Sequence, residues 1–211
     1  MNGRHAQHDA APKRSGPDVT PHRHSPHSLG NRAGRLLWAL VSVLLFRFSP
    51  RNLHWWRNML LRAFGARMHS RARVYPRARI WAPWNLVMEE GATIGDDVNV
   101  YNVARIHLQA WAGVSQYCFL CSASHDFEDV RFPLAPAPIT LGRRVWLAAD
   151  VFVAPGVTIG EGTVVGARSS VFSDLDPWIV AMGTPARRVR QRSLGPADYG
   201  EPPTGTVDDS A

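Results

Sequence analysis

"LGRRVWLAADVFVAPGVTIGEGTVVGARSSVF", residues 141–172, decides the fold. Every sixth residue is aliphatic: Leu141, Leu147, Val153, Ile159, Val165 and Val171. The residue after each is small, at Gly142, Ala148, Ala154, Gly160 and Gly166, until Phe172 closes the run. A period of six fits neither the 3.6-residue turn of a helix nor the alternation of a strand. It calls for a unit that stacks on copies of itself, and hexapeptide repeats do so as a parallel β-helix. The aliphatic side chain points into a narrow prism, and the Gly or Ala after it occupies a tight corner where a larger side chain would clash. The ladder is therefore structural, and none of its members carries chemistry.

Upstream the rhythm is looser, with Val74 and Ile80, then Ile94 and Val100, then Leu108, Val114 and Leu120. Two-residue insertions shift its phase before Ile94 and before Leu108. It then stops at "CSASHDFEDV" (121–130), with His125 the last residue in step, and resumes only after Pro138. Insertions in a solenoid become loops on one face, often the binding face. Prolines at 133, 136 and 138 make "DFEDVRFPLAPAP" (126–138) a stiff projecting arm with His125 at its root.

Charge divides the chain of 211 residues further. Residues 31–79 hold eleven arginines and no acidic residue, whereas residues 80–180 hold five basic and eleven acidic side chains. The arginine block predicts an anionic partner, and the acidic repeat region argues against nucleic acid. Residues 1–30, rich in His, Pro and Ser, read as a disordered tail whose histidines (His5, His8, His22, His24, His27) fit no defined metal site. Residues 31–66 form an apolar, Arg-rich helical segment, 67–192 the repeat domain, and 193–211 a flexible tail. No secretory signal pattern is present, so a cytoplasmic location is expected.

Within the helical segment, "LLWALVSVLLF" (36–46) is closed by Arg35 and Arg47 and is shorter than the roughly 20 apolar residues a spanning helix needs. In "SPRNLHWWRNMLLRAFG" (49–65), Ser49 reads as a cap, Pro50 as the first helical residue and Gly65 as the stop. Residues 31–65 either pack on the rest of the protein or attach it peripherally to the anionic inner face of a membrane.

With 139–172 followed by "MGTPARRVR" (182–190), and with "RIWAPWNLVM" (79–88) and "VYNVARIHL" (100–108), the chain resembles the hexapeptide-repeat acyltransferases. It is most similar to the bacterial acetyltransferases of the colanic acid biosynthesis type, which O-acetylate sugars destined for exopolysaccharides. The resemblance covers roughly residues 35–192. It implies an all-β solenoid, a left-handed parallel β-helix, in a homotrimer whose active sites lie between neighbouring prisms. It also implies acetyl-CoA as co-substrate, a sugar or glycan as acceptor, and His125 as catalytic base. An imidazole can take the proton of a sugar hydroxyl as that oxygen attacks a thioester, then return it to the departing thiolate.

By the same resemblance Ala149 and Ala167 border the pantetheine slot, and Arg187 and Arg190 meet the CoA phosphates. Phe172 and Ser173 depart from a Thr-Lys pair of several relatives, which bears on part of the nucleotide contact. Asn102 is the candidate acceptor contact, since an amide donates to and accepts from hydroxyls; the alternative is a turn-stabilising Asn. Trp81 and Trp84 offer apolar faces to a sugar or to a neighbouring subunit. A zinc enzyme on this prism would need about three converging histidines, and from Val74 onward the chain offers only His107 and His125. Cys118 and Cys121 form a lone C-x-x-C at packing positions. The competing reading is a non-catalytic scaffold or membrane-associated module, which CoA binding would discriminate.

Overall fold

A computed structural model describes residues 29–199. The chain winds into a parallel β-solenoid of about six turns with helices at its N-terminal end. The first three coils are β1 (Arg67–Met68), β2 (Arg73–Val74) and β3 (Arg79–Ile80); β4 (Leu86–Met88), β5 (Thr93–Ile94) and β6 (Asn99–Tyr101); and β7 (Ile106–Leu108), β8 (Gly113–Val114) and β9 (Phe119–Cys121). An antiparallel ribbon, β10 (Ala123–His125) and β11 (Leu134–Pro136), interrupts the winding. Coils four and five follow as β12 (Ile139–Leu141), β13 (Trp146–Leu147) and β14 (Phe152–Val153), then β15 (Thr158–Ile159), β16 (Val164–Val165) and β17 (Ser170–Val171). β18 (Ile179–Met182) begins a sixth coil, and β19 (Arg187–Gln191) returns antiparallel along it.

Equivalent strands stack into three faces: face A (β1, β4, β7, β12, β15), face B (β2, β5, β8, β13, β16, β18) and face C (β3, β6, β9, β14, β17). The ladder runs inside them, with Ile94, Val100, Leu108, Leu120, Leu141, Leu147, Val153, Ile159 and Val165 all fully buried. Met88, also buried, is the ladder member that bridges Ile80 and Ile94. The corners of coils one and two that each hold two extra residues (81–85 and 102–105) and the 126–138 excursion therefore leave the prism along one edge, between faces C and A. At the edge between faces A and B, Trp111 covers Gly91 and Trp178 covers Gly162 so closely that a Cβ on either glycine would sit within 2.6 Å of the ring.

The end of the prism is closed by α1 (Leu29–Val41), a π-helical turn (Ser42–Phe46) and α2 (His54–Ala63). Trp38, Phe46 and Leu61 enter the core, and the Trp38 indole donates to the Ile80 carbonyl at 2.7 Å. The second helix starts later than the sequence suggests, and Ser49 does not cap it. The buried Arg57 gathers acceptors from this segment instead, donating to Ser49 Oγ (2.8 Å) and to the carbonyls of Pro50 (2.8 Å), Arg51 (2.7 Å) and Val74 (2.6 Å). Those bonds hold residues 49–52 in a turn, and the helix begins at His54. Gly65 does end it, at φ +88°.

Trp81 and Trp84 serve this junction. Trp81 packs against Tyr101 and lies 4.3 Å beneath the Arg35 guanidinium, while Trp84 fills the space left by Gly34 and Gly65. After β19 the chain folds back, so the flexible tail assigned to 193–211 does not begin at 193. Tyr199 stacks with Trp178 and with the Arg144 guanidinium, 4.1 Å from its ring. The tail assigned to residues 1–30 lies outside the described residues except for Leu29 and Gly30, which open α1.

Candidate active site

The ribbon β10–β11 pairs His125 with Leu134 and carries a tip, residues 126–133, beyond it. His125 is exposed, and its Nδ1 lies 2.7 Å from the Phe132 carbonyl oxygen. A carbonyl only accepts, so Nδ1 donates, and in the neutral imidazole it is Nε2 that holds the lone pair. The Phe132 ring stacks on the imidazole at 5.4 Å and 23°, fixing its plane. Phe132 adopts φ +51°, a left-handed conformation uncommon for an aromatic residue. Backbone strain of this kind is held only where the surroundings over-determine it. Here a bond from the Phe132 N–H to the Asp129 carbonyl (2.8 Å) closes the turn.

The two aspartates of the tip are occupied elsewhere. Asp126 Oδ1 accepts from the Glu128 N–H at 3.0 Å, and Asp129 pairs with Arg131 at 2.7 Å. The group that orients the imidazole is thus a backbone carbonyl, and Phe132 escaped the sequence reading because a main-chain contact leaves no side-chain signature.

Asn102 does not meet the surface as its expected acceptor role requires. It is fully buried, its Oδ1 accepting from the Ala82 N–H (2.9 Å) and its Nδ2 donating to the Ala82 carbonyl (2.6 Å). One coil along the same edge, buried Ser122 accepts from the Ala104 N–H at 2.9 Å, while its carbonyl accepts from Ala137 N–H at 2.9 Å. These two polar side chains tie the extra residues of each coil to the coil below, and so set the height at which the His125 ribbon leaves the prism.

Ala149 and Ala167 come together at the other edge of face C, between faces B and C. The Arg168 N–H donates to the Ala149 carbonyl at 3.0 Å, and both alanines line a groove of about 410 Å³ with Gln116, Tyr117, Asp150 and Arg168. Their methyl groups leave the groove open. Arg168, which the sequence reading passed over, presents an exposed guanidinium there, 3.7 Å from Asp150. Residues 183–186 lie across coil five, through bonds from Ser170 N–H to the Gly183 carbonyl (3.0 Å) and from Ala186 N–H to the Ser170 carbonyl (2.8 Å). Arg187 follows directly and is exposed at this edge; Arg190 is exposed roughly 10 Å farther along β19 at the rise of an extended strand. His125 and the Ala149–Ala167 groove thus lie on opposite edges of one face.

Neither cysteine is poised for chemistry. Burial pushes the Cys118 thiol up to about 11, against hydrogen bonds from Val151 and Asp150 that act the other way. Cys121 Sγ donates to the Ala123 carbonyl at 3.2 Å. Among the described residues, no group of three His, Cys, Asp or Glu side chains could hold a metal ion. None of the described helices is long and apolar enough to cross a membrane.

No protein-family model matches the chain. It is 45% identical over 163 residues to the putative colanic acid biosynthesis acetyltransferase WcaF of Escherichia coli K12, covering 77% of this chain and 90% of that protein. Among solved structures, a hexapeptide-repeat-containing acetyltransferase from Vibrio cholerae complexed with acetyl coenzyme A superposes with a TM-score of 0.71 at 25% identity, over 79% of this chain and 91% of the other. A maltose O-acetyltransferase from Clostridium difficile 630 shares the fold, with a TM-score of 0.70 at 23% identity over 79% of this chain and 90% of that one. These folds are left-handed β-helices, the hand expected for this coil. The chain is an acetyltransferase, and it belongs to the hexapeptide-repeat family typified by the colanic acid biosynthesis acetyltransferases.

Proposed function

We propose that the protein transfers acetyl from acetyl-CoA directly to a sugar hydroxyl during assembly of an exopolysaccharide or related surface glycan, with His125 as general base. The observation that carries this reading is the bond from His125 Nδ1 to the Phe132 carbonyl, which leaves Nε2 as the acceptor of a proton. Nε2 takes the hydroxyl proton as the sugar oxygen attacks the thioester carbonyl. The tetrahedral intermediate collapses, the C–S bond breaks, and the imidazolium protonates the leaving thiolate. The products are the sugar acetate and CoA, with the imidazole neutral again. No acyl-enzyme is needed, and the high pKa of buried Cys118 disfavours it as a nucleophile.

The donor lies along Ala149 and Ala167, its phosphates met by Arg187 and Arg190 and, we add, by Arg168. Calorimetric titration tests this without knowledge of the acceptor. The intact protein is expected to bind CoA at micromolar levels, and Arg187→Ala to bind about tenfold more weakly, the loss of one charge-assisted contact. Absence of binding by the folded protein would overturn the assignment and favour a non-catalytic scaffold.

A single copy keeps base and donor groove apart, so the reading includes a homotrimer in which one copy's His125 edge meets the next copy's groove. Mixing separately inactive His125→Ala and Ala167→Trp proteins through unfolding and reassembly is expected to restore about a quarter of the wild-type activity, because each shared site draws its halves at random from two neighbours. A site contained within one chain would restore none.

The location proposed is cytoplasmic, with peripheral attachment to the anionic inner face of a membrane through residues 31–65. Sedimentation with anionic vesicles at low salt is expected to carry the protein into the pellet; retention in the supernatant would count against attachment.

A further inference from the structure

The end of the solenoid opposite β18 carries a feature that acetyl transfer does not use. From Leu36 to Phe46, α1 and the π-helical turn are apolar but for Ser42, yet only one side of them is covered. Trp38 and Phe46 face the core, whereas Leu36 (74% exposed), Leu37, Leu40, Val43, Leu44, Leu45 and Phe48 (81% exposed) face outward. The π turn causes part of this, because its extra residue delays the return of the inner face from position 45 to Phe46 and leaves Leu44 and Leu45 outside.

Beside this stripe runs a groove of about 580 Å³ between α1 and β3, lined by Arg32, Arg35, Arg47 and Arg79 above the Trp38 and Trp81 rings. Elsewhere in the basic segment arginines find carboxylates on coil two: Arg51 with Asp96, Arg71 with Glu90 at 2.7 Å and Arg77 with Asp97 at 2.8 Å. The guanidinium groups of Arg32, Arg47 and Arg79 make no hydrogen bond or ion pair among the described residues. Arg35 lies over Trp81, and its buried Nε has no hydrogen-bond partner.

We propose that this groove binds the phosphate-bearing headgroup of an anionic membrane lipid, with the outward stripe of α1 resting in the acyl layer beside it. The inference deepens the membrane attachment proposed above and rests on it. Four guanidinium groups around an apolar floor match a ligand that is anionic at one end and aliphatic at the other, because forked donors suit phosphate oxygens. A second copy of the chain is a poorer occupant: it would bring an arginine block without acidic residues against its like.

The test is sedimentation of the full chain with phosphatidylcholine vesicles, with and without phosphatidylglycerol, using wild type, the triple variant Arg32→Gln/Arg47→Gln/Arg79→Gln, and Leu40→Asp. All four positions are exposed, and circular dichroism checks that each variant is folded. Wild type should prefer phosphatidylglycerol vesicles. The triple variant should partition about 100-fold less, at roughly fivefold per basic residue near an anionic surface. Leu40→Asp should lose binding to both vesicle types.

Failure of wild type to bind any vesicle would sink attachment and headgroup site together. Binding of wild type and triple variant alike, or equal binding to neutral and anionic vesicles, would leave attachment standing and overturn the headgroup site. Inorganic phosphate that binds as tightly as vesicles would overturn the commitment to a lipid. A Leu40→Asp protein that dissociates into monomers while still binding vesicles would make the stripe an interface between copies.

Discussion

His125→Ala is expected to lower kcat by about 10³-fold, in the middle of the range that a positioned general base contributes. CoA affinity and thermal stability should stay at wild-type values. The imidazole is exposed and its ring contact is to Phe132 in the same loop, so its removal opens no cavity in the prism. The Ala149–Ala167 groove, proposed to hold the donor, lies on the other edge of face C and loses no contact. Single-turnover acetylation of a sugar acceptor, read alongside calorimetry with CoA, separates the two effects. A fall in CoA affinity matching the fall in kcat would reassign His125 to donor binding, and an unchanged kcat would remove it from catalysis.

Gly160→Ala carries the largest expected effect on stability. A Cβ at this corner would lie 2.5 Å from the Pro177 nitrogen and 2.8 Å from the Asp176 carbonyl carbon. Both are main-chain atoms of the next coil, and no rotamer change relieves the overlap. The cost is about 3 kcal/mol, the upper part of the range for overpacking, and a chain of this size should lose roughly 6–12 °C in Tm. Each coil is held chiefly by its neighbours. The damage should therefore separate coil six from coil five and weaken CoA binding through Arg187, which hangs from coil six. Gly30→Ala serves as the control, because nothing lies within 4 Å of the added methyl. Equal melting temperatures for the two variants would contradict the corner geometry.

The six-residue ladder was legible because each aliphatic position faces the same closed prism, and a residue that leaves the phase leaves the core. Met88 escaped because the corner before it holds two extra residues, which hides its equivalence to Leu108 one coil on. The excursion was legible for the same reason in reverse: thirteen residues without an inward position cannot belong to the coil. His125 could be singled out by its place at the root of that loop. Phe132 could not, since what it offers the imidazole is a carbonyl oxygen in a left-handed turn, and every residue has a carbonyl. Asn102 misled because an amide suits both a sugar and a bare backbone; at a corner with two extra residues the unpaired Ala82 groups claim it first. Arg57 misled in a different way, by drawing the carbonyls after Ser49 around its guanidinium and postponing a helix that Ser49 and Pro50 would otherwise have begun.

The confinement of every extra residue to the edge between faces C and A divides the molecule into a register that counts and a margin that can be rewritten. Along faces A and B the stacking of one strand on the next fixes the chain length between corners, so an insertion there would throw all later coils out of step. At the C–A edge the Asn102 and Ser122 side chains hold extra residues to the coil below, and coils of different length coexist without disturbing the ladder. Residues of the excursion other than Phe132, whose carbonyl holds the imidazole, can therefore be exchanged without disturbing the ladder. The fold tolerates editing beside the proposed base and resists it along the two faces whose stacking keeps the coils in step.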